Sequence, residues 1–97
     1  MSDETERTTL RLRIEGSVQA VGYRYFAIVE ARKLNLDGWI RNRTDGTVEA
    51  LVSGTTKAVE AFVAHCMRGP PGSQVKNVDL HNAEPPMESG FHSRPSI

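Results

Sequence analysis

Cysteine is almost missing from this chain: Cys66 is the single thiol among 97 residues. One thiol excludes an intramolecular disulfide framework and fits a reducing compartment, so a cytoplasmic location is expected. Long apolar runs are missing as well. None approaches the ~20 residues that a bilayer-spanning helix needs, and no membrane partner is expected. Net charge of one sign is absent, because 12 Lys and Arg balance 12 Asp and Glu. Nucleic-acid binders usually carry a basic excess, so no nucleic-acid partner is expected. Metal-ligand spacing is lacking too. His65, His81 and His92 form no H-x-x-x-H and no Cys/His pattern, which leaves no metal site to assign.

What remains has the make-up of a soluble globular protein, with 38% hydrophobic and 25% charged residues. The length allows one core. Residues 1–7 are polar and acidic, unlike a signal or transit peptide, and read as a flexible tail ahead of a single domain over residues 8–97. Without a coiled-coil repeat, a monomer is expected.

Periodicity predicts the elements. Leu10, Leu12 and Ile14 alternate with Arg11, Arg13 and Glu15, the period of a strand with one buried face; Gly16 is expected to end it. Tyr23, Ala27, Ile28, Ala31 and Leu34 form the stripe of an amphipathic helix, closed by Asn35 in the left-handed conformation. Two strands follow, Leu36 to Asn42 and Thr47 to Ser53, joined by the turn signal Asp45-Gly46. Val59, Phe62, Val63, Cys66 and Met67 mark one face of a second helix with Thr55 or Thr56 as N-cap, ended by Gly69-Pro70-Pro71-Gly72. Val78 and Leu80 fall in a fourth strand, and Phe91 to Arg94 form a short fifth. The order β-α-β-β-α-β plus one predicts an α+β, ferredoxin-like two-layer sandwich: an antiparallel sheet with two helices on one face. Fold alone names no function.

The stretch from Gly16 to Arg24 lies where the first strand hands over to the first helix. Loop amides and a helix N-terminus point outward there without partners, and the helix dipole adds partial positive charge. Such a place binds phosphate or carboxylate. Arg24 in the first helical turn can fold over the same site and grip two anionic oxygens. A cation is disfavoured at a helix N-terminus unless an anion joins it. Counting excludes two other phosphate loops: G-x-x-x-x-G-K-[ST] fails because Val21 stands at its second glycine, and C-x-x-x-x-x-R fails because Val18 stands six before Arg24.

These residues resemble the acylphosphatase family. Its loop reads G-x-V-Q-G-V-x-[FY]-R, matched by Gly16, Val18, Gln19, Val21, Tyr23 and Arg24. A second block, G-W-V-x-N followed by a turn and G-x-V, is similar to Gly38-Trp39-Ile40-Arg41-Asn42 and Gly46-Thr47-Val48. A third, G-P-P-x-A-x-V, is similar to Gly69-Pro70-Pro71-Gly72-Ser73-Gln74-Val75. The resemblance covers about residues 8 to 95. It implies hydrolysis of acyl phosphates to carboxylate and inorganic phosphate with no metal or organic cofactor, acting on a small-molecule substrate. Arg24 would bind the phosphoryl group, Asn42 would position the attacking water, and the backbone of Val18, Gln19, Ala20, Val21, Gly22 and Tyr23 would cradle the phosphate. Ala20 departs from the family's Gly. If φ is positive there, its Cβ costs roughly 1–2 kcal/mol.

Chemistry agrees with those roles. A carboxylate is a good leaving group, so catalysis reduces to neutralising phosphoryl oxygens and placing a water in line. Asn42 orients water but takes up no proton, so the substrate's own phosphoryl oxygen is the expected acceptor. Gln19 reads as loop support, and Tyr23, Phe26 and Trp39 as core or pocket wall. Cys66 reads as a small buried hydrophobe. Arg41 and Arg43 read as a solvated face or as steering charges. Two competing readings are a noncatalytic phosphate-binding regulatory domain, weakened by Ala20, and an RNA-binding module of the same topology. The second lacks aromatics on the first and third strands.

Overall fold

The computed structural model describes residues 6–97; most of the expected tail, residues 1–5, lies outside them. The elements run β1 (Arg7–Ser17), α1 (Tyr23–Lys33), β2 (Asp37–Asn42), β3 (Val48–Thr55), α2 (Thr56–Arg68), β4 (Gln74–Asn82) and β5 (Phe91–Ser93). Arg7, assigned to the tail by sequence, already pairs with Thr55 in β1.

Strand order is β4-β1-β3-β2-β5. The first four strands pair antiparallel, as expected, while β5 runs parallel to β2, making the sheet mixed. The link from β4 to β5 crosses from one edge of the sheet to the other. Four inter-strand steps span about 19 Å, within the roughly 26–29 Å reach of the intervening residues 83–90.

Alternation sorts the sheet's two faces. Leu12 and Ile14 of β1, Ile40 of β2, and Val48, Ala50 and Val52 of β3 are fully buried under the helices. Tyr23, Ala27 and Ala31 of α1 and Val59, Phe62, Val63 and Cys66 of α2 meet them. Thr55 caps α2 by accepting the Ala58 amide at 3.2 Å. Met67, expected on the apolar face, is exposed. It stands eight residues after Val59, about 80° around the helix from it, at the margin of the stripe. Asn35 is left-handed at φ 57°, as expected of the residue closing α1.

The first strand does not stop at Gly16. Its register against β4 shifts between Glu15 and Gly16, where Lys76 is the extra residue on β4, and the pairing continues to Ser17. The two-against-one mismatch distorts the ladder at that point, and Gly16 opposite it sits at φ 129°. β1 and β2 both run antiparallel to β3, which lies between them, so both finish at the same end of the sheet. Val48, at the start of β3, pairs with Ile14 on one side and Asn42 on the other. Topology alone thus brings the loop after β1 beside Asn42.

Candidate active site

The loop from Val18 to Gly22 is held by conformation. Ala20 adopts φ 63° and Gly22 φ 75°, so the chain turns twice through the left-handed region before entering α1. The positive φ considered for Ala20 is therefore present, with its Cβ strain. Among the described residues, no amide of residues 18–22 donates a hydrogen bond. No side chain caps α1, and no acidic residue stands in its first turn. The amides of that first turn have no intrahelical acceptor by helix geometry. A row of unbonded donors at the positive end of a helix attracts an oxyanion. Arg24 adds a full charge, and among the described residues no carboxylate lies within ion-pair distance of its guanidinium.

Asn42 closes the other wall. Its Oδ1 is buried and has no hydrogen-bond partner among the described residues. An unsatisfied buried acceptor is costly, about 1–3 kcal/mol, unless a donor such as water meets it. Val18, Ala20, Gly22, Tyr23, Arg24, Tyr25 and Asn42 line one cleft of about 180 Å³. That is below the roughly 300–1,000 Å³ of sites for drug-sized ligands, a size suited to a small anionic group. A larger hollow of about 490 Å³ lies near Arg13, Asp45 and Lys76. There Arg13 is already paired with Glu15, Asp45 and Asp79, so two lining carboxylates, Glu15 and Asp45, offset its charge.

The supporting residues are sharply placed. Gln19 Nε2 donates to the carbonyl oxygens of Arg43 and Thr47, both at 2.8 Å, tying the loop to the β2–β3 turn; its side chain supports the loop as expected. In that turn Asp45 Oδ1 accepts the Thr47 amide at 3.0 Å and the Thr47 hydroxyl at 2.6 Å, and these bonds lower the Asp45 pKa from 3.8 to about 2. Tyr23 is buried, and its hydroxyl donates to the Cys66 carbonyl at 2.6 Å. Burial also pushes the Cys66 thiol up to about 12, which leaves it unionised. Phe26 packs between Tyr23 and His65.

Two readings are sharpened. Trp39 is pocket wall rather than core: it lines a separate hollow of about 240 Å³ on the uncovered sheet face, with the Arg41 and Arg94 guanidinium groups 4.8 and 5.1 Å from its ring. Arg41 and Arg43 are not a free basic face either, since both donate to Glu49 Oε1 at 2.9 Å. Arg11 approaches the same carboxylate at 3.4 Å. Burial alone would raise the Glu49 pKa; the arginine hydrogen bonds and charges outweigh it and lower the value. Sequence reasoning missed Glu49, although a hairpin turned at Asp45-Gly46 brings Arg41 directly opposite it. Tyr25, exposed at the cleft's rim, was also missed, having no partner or pattern to mark it.

Fold and cleft together define a small α+β domain with unbonded amides and an arginine at a strand–loop–helix junction, and comparison with known proteins narrows that class. The acylphosphatase family model matches residues 10–93, and the chain belongs to the acylphosphatase family. It is 51% identical over 86 residues to the acylphosphatase of Thiobacillus denitrificans, covering 89% of this chain and 96% of the relative. The crystal structure of acylphosphatase from Bacillus subtilis matches with a TM-score of 0.81 at 36% identity, over 88% of this chain and 94% of that one. An acylphosphatase structure from Coxiella burnetii gives 0.87 at 28% identity, over 94% and 96%. The chain is an enzyme that hydrolyses small acyl phosphates. These relatives, all named for the activity, do not favour a noncatalytic binding domain.

Proposed function

We propose that the enzyme works without metal, with the loop and Arg24 holding the phosphoryl group and Asn42 orienting the attacking water. The observation that carries this reading is the buried, unpartnered Oδ1 of Asn42 lining the same small cleft as Arg24. The amides of Val18, Gln19, Ala20, Val21, Gly22 and Tyr23 would meet the phosphoryl oxygens, and the guanidinium would neutralise the charge building on them. Asn42 Oδ1 accepts a hydrogen from the water and turns its lone pair towards phosphorus. Water oxygen bonds to phosphorus as the bond to the acyl oxygen breaks, releasing carboxylate and inorganic phosphate. Among the described residues the cleft lining includes no Asp, Glu or His, and the Tyr23 phenol already donates to a carbonyl with its pKa raised by burial. The water's proton therefore passes to a phosphoryl oxygen of the substrate.

A monomer in the cytoplasm fits the balanced charge and the single buried thiol. Among the described residues no helix is long and apolar enough to cross a membrane.

Hydrolysis of benzoyl phosphate, with and without chelator, tests the reading in wild type, Arg24→Ala and Asn42→Ala. Chelator-resistant turnover, with losses on the order of 10²–10³-fold in both variants, is the expected result for removed transition-state contacts. Turnover that a chelator abolishes, or that survives both substitutions, would sink it.

A further inference from the structure

The face of the sheet not covered by helices carries one buried carboxylate, and nothing in the proposed chemistry uses it. Glu49 is 5% exposed. A charge excluded from water is costly unless closely paired, and Glu49 is paired three times over. Arg41 Nε and Arg43 Nη1 share its Oε1, each at 2.9 Å, and Arg11 stands 3.4 Å from its Oε2. Arg11 comes from β1, whereas Arg41 and Arg43 are the two neighbours of Asn42 in the chain.

Side chains alternate across a strand. Ile40 and Asn42 are therefore directed to the helix side, and Trp39 and Arg41 to the uncovered side. The burial of Ile40 and the stacking on Trp39 agree with that division. At Asn42 the strand gives way to the turn: the Asn42 carbonyl accepts the Ile97 amide at 3.2 Å and the Arg43 amide donates to the Thr47 carbonyl at 2.9 Å, which hold the backbone but leave Asn42 Oδ1 without a partner among the described residues. Two guanidinium groups anchored to one oxygen fix residues 41 and 43 from behind, and so limit rotation of the backbone at 42. From these contacts we propose that Glu49 is a positioning residue for hydrolysis: through Arg41 and Arg43 it holds Asn42 with Oδ1 facing the cleft. The proposal rests on the water-orienting role given to Asn42 above. It separates Glu49 from phosphate binding, because Arg24 and the loop amides make no contact with this carboxylate among the described residues.

The test is a double-mutant cycle on benzoyl phosphate hydrolysis with wild type, Glu49→Gln, Asn42→Ala and the double variant, inorganic phosphate serving as a competitive inhibitor. Glu49→Gln is expected to lower kcat about tenfold, with KM and the phosphate inhibition constant unchanged within about twofold. In the Asn42→Ala background the same substitution is expected to cost nothing further, since the two residues act as one unit. A purely structural effect would lower kcat equally in both backgrounds, and that overturns the proposal. An unchanged kcat in Glu49→Gln, or a weakened phosphate inhibition, overturns it as well. Should Glu49→Gln fail to fold, Arg43→Met removes one arm of the clamp at a more open position and is read in the same cycle. If Asn42→Ala alone keeps full kcat, the water-orienting role itself fails, a result distinct from a failure of Glu49 to act through it.

Discussion

The two walls of the cleft are built by opposite means. The loop from Gly16 to Arg24 is shaped by backbone conformation: a register shift against β4, Gly16 at φ 129°, Ala20 at 63° and Gly22 at 75°. The β2–β3 hairpin is shaped by side-chain hydrogen bonds, with Asp45 on Thr47 in the turn and Glu49 on Arg41 and Arg43 behind it. Each method fits its task. An anion cradle must leave its amides free, so it cannot be stabilised by bonding them. A residue that aims one water needs a fixed side chain, and that is achieved by crowding its neighbours with partners. Gln19 is where the two methods meet.

Gly16 should break the first wall most completely. A Cβ built there would lie 2.0 Å from the Gln74 carbonyl oxygen, so Gly16→Ala combines a clash with a disfavoured φ. The expected loss is about 2–6 kcal/mol, from strain and overpacking of about 1–3 each. Gly22→Ala meets nothing within 4 Å and should cost only about 1–2 kcal/mol. Urea midpoints of the two variants measure the difference. Equal midpoints would mean that close packing against β4 does not set the loop's departure.

Joining the walls should matter next. Gln19→Ala removes two 2.8 Å hydrogen bonds, worth about 1–3 kcal/mol together at ordinary net values. It should also lower kcat, because loop and Asn42 lose their shared register. A variant as active as wild type would show that the hairpin holds its position unaided.

Ala20→Gly acts in the opposite direction. Relief of left-handed strain, less the added freedom of the unfolded chain, should stabilise by about 0.5–1 kcal/mol. A thermal melt shifted downward would show that the Cβ contributes more than it strains.

These differences in construction also explain which parts could be read from sequence. The loop was legible because backbone needs appear as residue types: glycine at Gly16 and Gly22, and a lone cation at Arg24. The helices and four of the strands were legible from period. Core and pocket wall stayed open for Trp39 because its hydrophobicity suits both, although alternation with buried Ile40 puts it on the other face. The parallel pairing of β5 was not legible, since the link of residues 83–90 is long enough to reach either edge of the sheet. Glu49 was hidden for a different reason. Its partners lie apart in the chain, Arg11 on β1, Arg41 on β2 and Arg43 in the turn after it, and only the three-strand register brings all three together.

The smallest expected effect tests the hairpin by acid. Thr47's hydroxyl and amide, with Arg13 beside them, hold the Asp45 pKa at about 2 instead of 3.8. A carboxylate whose pKa is depressed by folding contributes stability above its unfolded value, and that contribution is lost as pH falls through the folded value. The window is therefore pH 3.8 down to about 2. Asp45 is exposed, so solvent screens the effect and only its direction is predicted. Asp45→Asn should lower the urea midpoint slightly at neutral pH, and the gap from wild type should close across that window. Phosphate inhibition should not follow it, because among the described residues the loop proposed to hold the anion donates no hydrogen bond to Asp45. A gap that persists below pH 2 would assign the hairpin's rigidity to the shape of its turn, leaving Glu49 as the charge that matters behind Asn42.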